Sequence, residues 1–445
     1  MSRPLFLSRG KKRYLPLRAL AAFCLLFVFT SVSFADAEHS TVSSPIRTLT
    51  LAQAISLSLD HHPSLQVYTL RESVLKADVE TAKLRPALSA GLEMGNVLGT
   101  GPFEGLDAAE MTFSLSSVLE LGDKRKARQS VVSERFDHLD AQRRIDALEL
   151  LGTVARHYID LLVVESELVL AKDAVMLAQA SVKAVRQRVR AGASPEAELL
   201  KARATLAQTR LNAAQKQSEK KQLRVALSLH WGVTKPDFER VAGSLFEVGT
   251  PGDLESFYQR ALKNPSMLEL VTEKRLRNAE LRLARSASHR DIRWSVGARR
   301  FQEPGEAALV AGVSVPLFAG QRNQAAVRAA EMKRDEVSLH QEHASHQLYA
   351  QLFDAFVQRK AAIEAKQTLE TQVIPLLEQA VEATGQSYER GRYSYLEWAA
   401  GQQDLLAARQ SLIQLAASAH FYQVEIEQLT AEPLEAREDL LKIKE

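Results

Sequence analysis

One unit is written twice in this chain, about 200 residues apart, and each copy joins two short alternating segments to two very long helical ones. Leu119-Glu120-Leu121-Gly122-Asp123-Lys124 returns in outline as Leu317-Phe318-Ala319-Gly320-Gln321-Arg322. Arg190-Ala191-Gly192-Ala193-Ser194 is answered by Arg390-Gly391-Arg392-Tyr393-Ser394 with the two glycines aligned, and His62-Pro63 by Asn264-Pro265. Three landmarks in one order and at nearly one spacing mark a duplication. A unit that combines membrane-strand and long-helix signals narrows the function more than any single residue, because few soluble proteins need both.

The first copy is preceded by a segment with a separate purpose. Arg3, Arg9, Lys11, Lys12, Arg13 and Arg18 lead into an apolar run from Ala19 to Phe29, and Ser33-Phe34-Ala35 supplies small residues at cleavage spacing. This reads as an export signal over 1–35, cut after Ala35 or Ala37. The single cysteine, Cys24, lies inside it and follows Phe23, whereas lipid-anchored cysteines usually follow a small residue. The exported chain therefore uses no disulfide. The whole chain carries 57 Lys and Arg against 54 Asp and Glu. Loss of the signal's cations turns that balance slightly acidic, and with no long basic run nothing points to nucleic acid.

Only 20 Gly and 14 Pro stand among 445 residues, so turns are few and long helices are the economical reading. Leu161, Leu168, Val175, Val182 and Val189 recur at heptad spacing, with Val164, Ala171, Ala178 and Val185 at the companion sites. No proline interrupts the stretch from Asp123 to Arg190, and Gly152 is its one interior glycine, so a helix of roughly 100 Å is expected at 1.5 Å per residue. Gly192 reverses the chain. A return helix follows with Ser194 as cap and Pro195 at its first position, running toward His230. The second copy repeats this from Arg322 to Glu389, turns at Gly391, and returns from a Ser394 cap. Leu405, Leu412, Ala419 and Ile426 line that return, with Ala408, Leu415, Tyr422 and Leu429 beside them. Pro375 is expected to kink or interrupt the incoming helix, since it lacks an amide donor and crowds the preceding turn.

Four segments alternate with period two. Leu88, Ala90, Leu92 and Met94 interleave with Ser89, Gly91, Glu93 and Gly95, and Met111, Phe113 and Leu115 with Thr112, Ser114 and Ser116. Ile292, Trp294, Val296 and Ala298 interleave with Arg293, Ser295, Gly297 and Arg299, and Leu309 to Leu317 forms a fourth segment. Such strands fit a transmembrane barrel with a wet lumen. A soluble sheet with one solvated face has the same pattern, and alternation alone leaves both open. Four strands close no useful pore, so the membrane reading requires oligomerisation; three chains would supply twelve strands.

The domain plan that results is an export signal over 1–35, a first repeat over 36–240, a second over 241–431 and a tail over 432–445. The first repeat has an opening helix, strands at about 87–96 and 110–119 and a hairpin over 123–230. The second has strands at about 291–301 and 308–318 and a hairpin over 320–430.

Val313-Ser314-Val315-Pro316-Leu317-Phe318-Ala319-Gly320-Gln321-Arg322, the opening helix from Leu49 to Leu65 with its His-Pro, the four strands and the two glycine-turn hairpins together resemble the TolC-type outer-membrane efflux factors. Glu120-Leu121-Gly122-Asp123-Lys124-Arg125 is similar to the corresponding segment of the heavy-metal, or cobalt-zinc-cadmium, branch. The resemblance implies a mainly α fold with a small transmembrane β part: a trimeric 12-stranded β-barrel in the outer membrane of a Gram-negative bacterium, continuous with a 12-helix periplasmic α-barrel. It implies a passive duct without cofactor or catalytic residues. Partners would be a periplasmic adaptor, an inner-membrane pump often driven by proton influx, and outer-membrane lipid. Its cargo would be metal cations or small toxic compounds; a multidrug or type I secretion role on the same fold is the alternative.

On this reading the tips of the hairpins are the functional site. Glu198 and Glu397 each stand six residues beyond a turn glycine, and in a trimer they would ring the constriction and favour cations. The alternative role of each is to place an acid in the first helical turn, against the helix dipole. Glu397 matches the first acidic position of the family's constriction, while Ala400 stands where a second acid can occur. Tyr388 matches a family position implicated in holding the closed state; ordinary packing is its alternative. Gly192, Ala193, Ser194, Gly391 and Arg392 would form the adaptor-docking tip. His340, His343 and His346 recur at three-residue steps but lack a convincing further ligand, so no metal site is assigned to them, and His61 and His62 read as structural. A periplasmic coiled-coil adaptor would carry one hairpin rather than two, and an exported enzyme would need convergent acid, base or metal groups that do not stand out.

Overall fold

The computed structural model describes residues 48–250 and 252–432. The expected export signal and residues 433–445 of the expected tail lie outside them. Strand β1 (Thr48–Leu49) leads into helix α1 (Leu51–His61), which opens on a capping box. There the Thr50 hydroxyl accepts from the Gln53 amide at 3.2 Å and the Gln53 side chain accepts from the Thr50 amide at 3.0 Å. Helix α2 (Pro63–Lys83) follows with Pro63 in its first turn and His62 as cap. Strands β2 (Ser89–Gly95) and β3 (Glu110–Leu119) then precede α3 (Lys124–Arg190) and α4 (Glu196–Ser228), and β4 (Arg240–Val241) closes the copy by pairing in parallel with β1.

The second copy runs through α5 (Leu254–Ala261), α6 (Pro265–Ser286), β5 (Ile292–Phe301), β6 (Ala307–Ser314), α7 (Ala319–Thr368), α8 (Ile374–Glu389) and α9 (Tyr395–Thr430). Asn264-Pro265 opens α6 as His62-Pro63 opens α2: the Asn264 side chain accepts from the Ser266 amide at 2.8 Å. Asn264 also uses its own amide to tie down the carbonyls of Gln428 and Leu429 at the end of α9. The duplicated dipeptide is thus a capping device, with proline where its missing donor costs nothing.

The two strand pairs form one antiparallel sheet of order β2-β3-β5-β6. Its register sorts the side chains. Ala90, Leu92 and Met94 lie opposite Leu115, Phe113 and Met111, these opposite Val296, Ala298 and Arg300, and these opposite Ala311, Leu309 and Ala307. This face is apolar apart from Arg300 at its loop end and Ser117, opposite Trp294, toward the other end. It is open to the surroundings: Leu309 is 88% exposed, Val313 73% and Phe113 59%. The other face carries Ser89, Gly91, Glu93, Thr112, Ser114, Ser116, Ser295, Gly297 and Arg299, with an ion pair from Arg299 to Glu110 at 3.0 Å. Among the described residues no helix is long and apolar enough to cross a membrane, and β2 and β6 have no outer neighbour in the sheet.

The fourth strand ends at Ser314, not near 318. Pro316 has no amide for a ladder, and Phe318 takes a left-handed conformation (φ 62°) that starts α7. In the first copy that left-handed step falls on Gly122 and Asp123 instead, so the aligned glycines Gly122 and Gly320 do different work. The first strand is shorter than 87–96, spanning Ser89–Gly95.

The 67 residues of α3 form one uninterrupted helix, about 100 Å long. Leu161, Val164, Leu168, Ala171, Ala178, Val182 and Val185 are buried along it, but Val175 and Val189 are only partly covered, and Ala174 and Ser181 are buried instead. A straight helix drifts off a seven-residue repeat by about 20° per heptad, and α3 also has a second helical neighbour in α9. Ala155 and Ile159 of α3 pack on Ile413, Ala416 and Ala417 of α9, while Leu348, Leu352 and Ala355 of α7 pack near Ile426 on another side of that helix. This two-sided burial is why α9 departs from a single heptad seam beyond Leu412. At Gly152 an added Cβ would run into the Gln428 side chain, which reaches the Leu148 carbonyl and Arg156. Pro375 interrupts the second long helix as expected: a π-helical segment, Leu369–Val373, separates α7 from α8, and Pro375 sits in the first turn of α8.

Candidate functional site

Both hairpins turn through a glycine in the left-handed region, Gly192 at φ 70° and Gly391 at φ 79°, a conformation that costs other residues a steric penalty. The turns close alike. Ala193 donates to the Arg188 carbonyl at 2.8 Å and Arg392 to the Ser387 carbonyl at 2.9 Å. The return helices begin differently. Ser394 caps α9 as expected, but Ser194 does not cap α4: Pro195 occupies the cap position, extended at φ −66° and ψ 148°, and offers no side-chain acceptor.

Tyr388, in the last turn of α8, joins the two hairpins. It is 1% exposed, among the largest fully buried side chains, and sits with Val182, Val185, Leu199, Ala202 and Tyr395. Trp398 of α9 stacks on its ring at 5.2 Å, and the Arg188 guanidinium of α3 lies 4.6 Å from the ring centroid on a cation–π contact. Arg188 donates to the Tyr388 carbonyl, and through its second terminal nitrogen to the Ala193 carbonyl at 3.1 Å. The Tyr388 hydroxyl donates to Glu198 of α4 at 3.4 Å. Burial raises the pKa of that hydroxyl, and the Glu198 charge adds to the rise against a hydrogen bond with Ser194. Tyr395 makes a parallel link: burial raises its hydroxyl, which also meets Thr205 of α4.

The two sequence-equivalent acids therefore have different surroundings. Glu198 is half-buried and reaches across to the second hairpin. Glu397 is exposed and turns back on its own helix, accepting from the Ser394 amide and hydroxyl, both at 2.8 Å, while its amide donates to that hydroxyl at 3.3 Å. Those Ser394 hydrogen bonds lower the pKa of its carboxyl. Glu397 is thus the N3 acid of a capping box and a charge at the tip at once. Gly192, Ala193, Gly391 and Arg392 are exposed, Ser194 half-buried. Arg190 and Arg390 stand exposed beside them.

Tyr395, from an aromatic turn that with Tyr393 occurs only in the second copy, joins this cluster, and Arg188 and Trp398, which no motif of the repeat marks, complete it. The available signal was the concentration of Tyr388, Tyr393, Tyr395 and Trp398 in the second copy only, opposite a cation in the first.

Six of the histidines fall in two groups. His340, His343 and His346 lie exposed on α7, and among the described residues no group of three or more His, Cys, Asp or Glu is placed to hold a metal ion. His62 belongs to a row not visible in the sequence: His157 and His230 share a 2.8 Å hydrogen bond, and the His62 ring stacks 6.0 Å from that of His230. Burial, reinforced by its two neighbours, pushes the His230 pKa down to about 4, which keeps its ring neutral at neutral pH.

The family model described as "Outer membrane efflux protein" matches residues 54–233 and 257–432. The chain is 26% identical over 405 residues to the cobalt-zinc-cadmium resistance protein CzcC of Cupriavidus metallidurans, covering 86% of this chain and 92% of that one. It is 25% identical over 393 residues to the cation efflux system protein CusC of Escherichia coli K12, covering 84% and 83%. Among solved structures, CusC superposes with a TM-score of 0.70 at 19% identity, over 85% of this chain and 91% of that chain. The outer membrane protein VceC of Vibrio cholerae superposes with a TM-score of 0.67 at 16% identity, over 85% and 95%. These likenesses in structure establish the fold.

Proposed function

The chain belongs to the outer membrane efflux protein family, and on that footing we propose that it is a passive trimeric duct through the outer membrane. Three chains join edge β6 of one to edge β2 of the next and close twelve strands around a wet lumen, with the six long hairpins continuing as a twelve-helix tube into the periplasm. One observation carries this reading. The sheet exposes an apolar face that water would penalise and lipid would not, and it ends in two edges that a neighbouring copy can pair. Four strands alone close no pore.

The cargo is metal cations, a reading supported by the names of the relatives CzcC and CusC and by the carboxylates at the tip. Gly192, Ala193, Ser194, Gly391 and Arg392 meet a periplasmic adaptor, which couples the duct to a proton-driven inner-membrane pump. The energy comes from the pump; the duct positions, admits and conducts.

Glu198 and Glu397 set the sign of the field at the constriction, and Tyr388 holds it shut. Replacing both acids by Gln in the purified protein is expected to move the reversal potential in planar bilayers toward zero, because the carboxylates are removed while the side-chain size is kept. An unchanged reversal potential would take the acids out of the constriction. A shift toward stronger cation preference would contradict the assignment as well, since the arginines left at the tip oppose cations.

A further inference from the structure

We propose that Arg188 is the positioning residue that latches the second hairpin to the first, so that one side chain of α3 controls release of the Tyr388 end of α8. The inference rests on the duct reading and adds the residue that regulates its tip.

Arg188 has an ordinary role available, since a cation in the last turn of a helix complements the dipole. Its contacts go further. In its own turn it is bonded twice to Ala193, whose amide donates to the Arg188 carbonyl at 2.8 Å and whose carbonyl accepts from the guanidinium at 3.1 Å. The same guanidinium donates to the Tyr388 carbonyl, one of the terminal carbonyls that α8 leaves without a helical partner, which also accepts from the Gly391 amide at 3.0 Å. Its Cζ lies over the Tyr388 ring, 4.6 Å from the centroid. A Cβ added to Gly391 would stand 3.5 Å from one of its terminal nitrogens, so the second turn passes close to the guanidinium. Its Nε is buried without a partner, a cost accepted for a fixed orientation.

A guanidinium reaches two carbonyls from two nitrogens while its charge lies over a ring; a lysine ammonium matches the charge and one bond. The link is also one-sided. Ser387 takes the corresponding place in the second copy, and a serine cannot return the grip. The contacts of Arg188 with Tyr388 exist only while α8 lies against α3, so their loss favours the parted arrangement in a two-state equilibrium.

The test uses the purified full chain in planar bilayers, as wild type, Arg188→Ala and Arg188→Lys. Expected is a several-fold higher mean conductance for R188A, and a smaller rise for R188K. Cells carrying R188A should also become sensitive to a glycopeptide antibiotic too large for an intact outer membrane. Wild-type conductance from an R188A trimer would overturn the latch while leaving the duct intact. Absence of pores from wild type and variants alike would overturn the duct and the latch with it. Should R188A fail to assemble, Arg188→Gln carries the same test, with wild-type conductance again the contrary result.

Discussion

Arginine in place of Phe113 or Val313 is expected to abolish recovery of the assembled protein from the outer membrane. Phe113 lies on the apolar face between Leu92 and Ala298, and Val313 beside Trp294, with no polar neighbour in either cross-strand pair. A guanidinium on the lipid face of a barrel costs about 2–4 kcal/mol near the bilayer midplane, and a trimer takes that penalty three times. Arginine at Ser116 is the control. Ser116 stands between Ser89 and Ser295 on the other face, where water can solvate a charge, so that variant should still assemble. The heat-modifiable oligomer in outer-membrane fractions reads both. Equal assembly of the three variants would mean that the exposed face is not in lipid.

Replacement of Tyr388 by Ala should give the second large effect, a raised resting conductance. Truncating a buried aromatic costs about 3–5 kcal/mol, and every specific partner of this ring apart from Trp398 and Tyr395 comes from the first hairpin: Arg188, Glu198, Val182, Val185 and Leu199. If a third of that cost falls on contacts present only in the closed tip, the open fraction rises about tenfold, since roughly 1.4 kcal/mol is a factor of ten. Tyr388→Phe keeps the ring and loses the hydroxyl's bonds to Glu198, long at 3.4 Å, and to Ser194, so its conductance should stay closer to wild type than that of Tyr388→Ala. Because burial raises the hydroxyl pKa, this latch holds its proton through the neutral range, and closure should not vary with pH through Tyr388. A Tyr388→Ala channel as quiet as wild type would make the residue ordinary packing.

Much of the architecture was legible because it rests on local rules. The duplicated cap-and-proline pairs, the turn glycines, the break at Pro375 and the long heptad run of α3 each follow from the conformational limits of a few neighbouring residues. The departures arose where two local signals compete. Ser194 looked like a cap, but Pro195 displaced the cap position onto itself; the alternation through Val315 and Leu317 looked like strand, but Pro316 ended the ladder. The site was less legible for another reason. Glu198 and Glu397 are equivalent in the repeat, yet Ser394 draws Glu397 into a capping box and Pro195 leaves Glu198 free to face Tyr388. Arg188, Tyr388 and Trp398 meet across a seam between residues about 200 positions apart, and no periodicity encodes that pairing. Nor does any pattern within one strand state that β3 and β5 pair and leave β2 and β6 open.

Those open edges are the centre of the proposal, and the stoichiometry of the particle tests it most directly. Native mass spectrometry of the protein extracted from outer membranes in detergent is expected to show three chains and no smaller stable species, since only repeated addition of four strands closes the barrel. A monomer or dimer as the stable form would contradict it, because four or eight strands leave no duct.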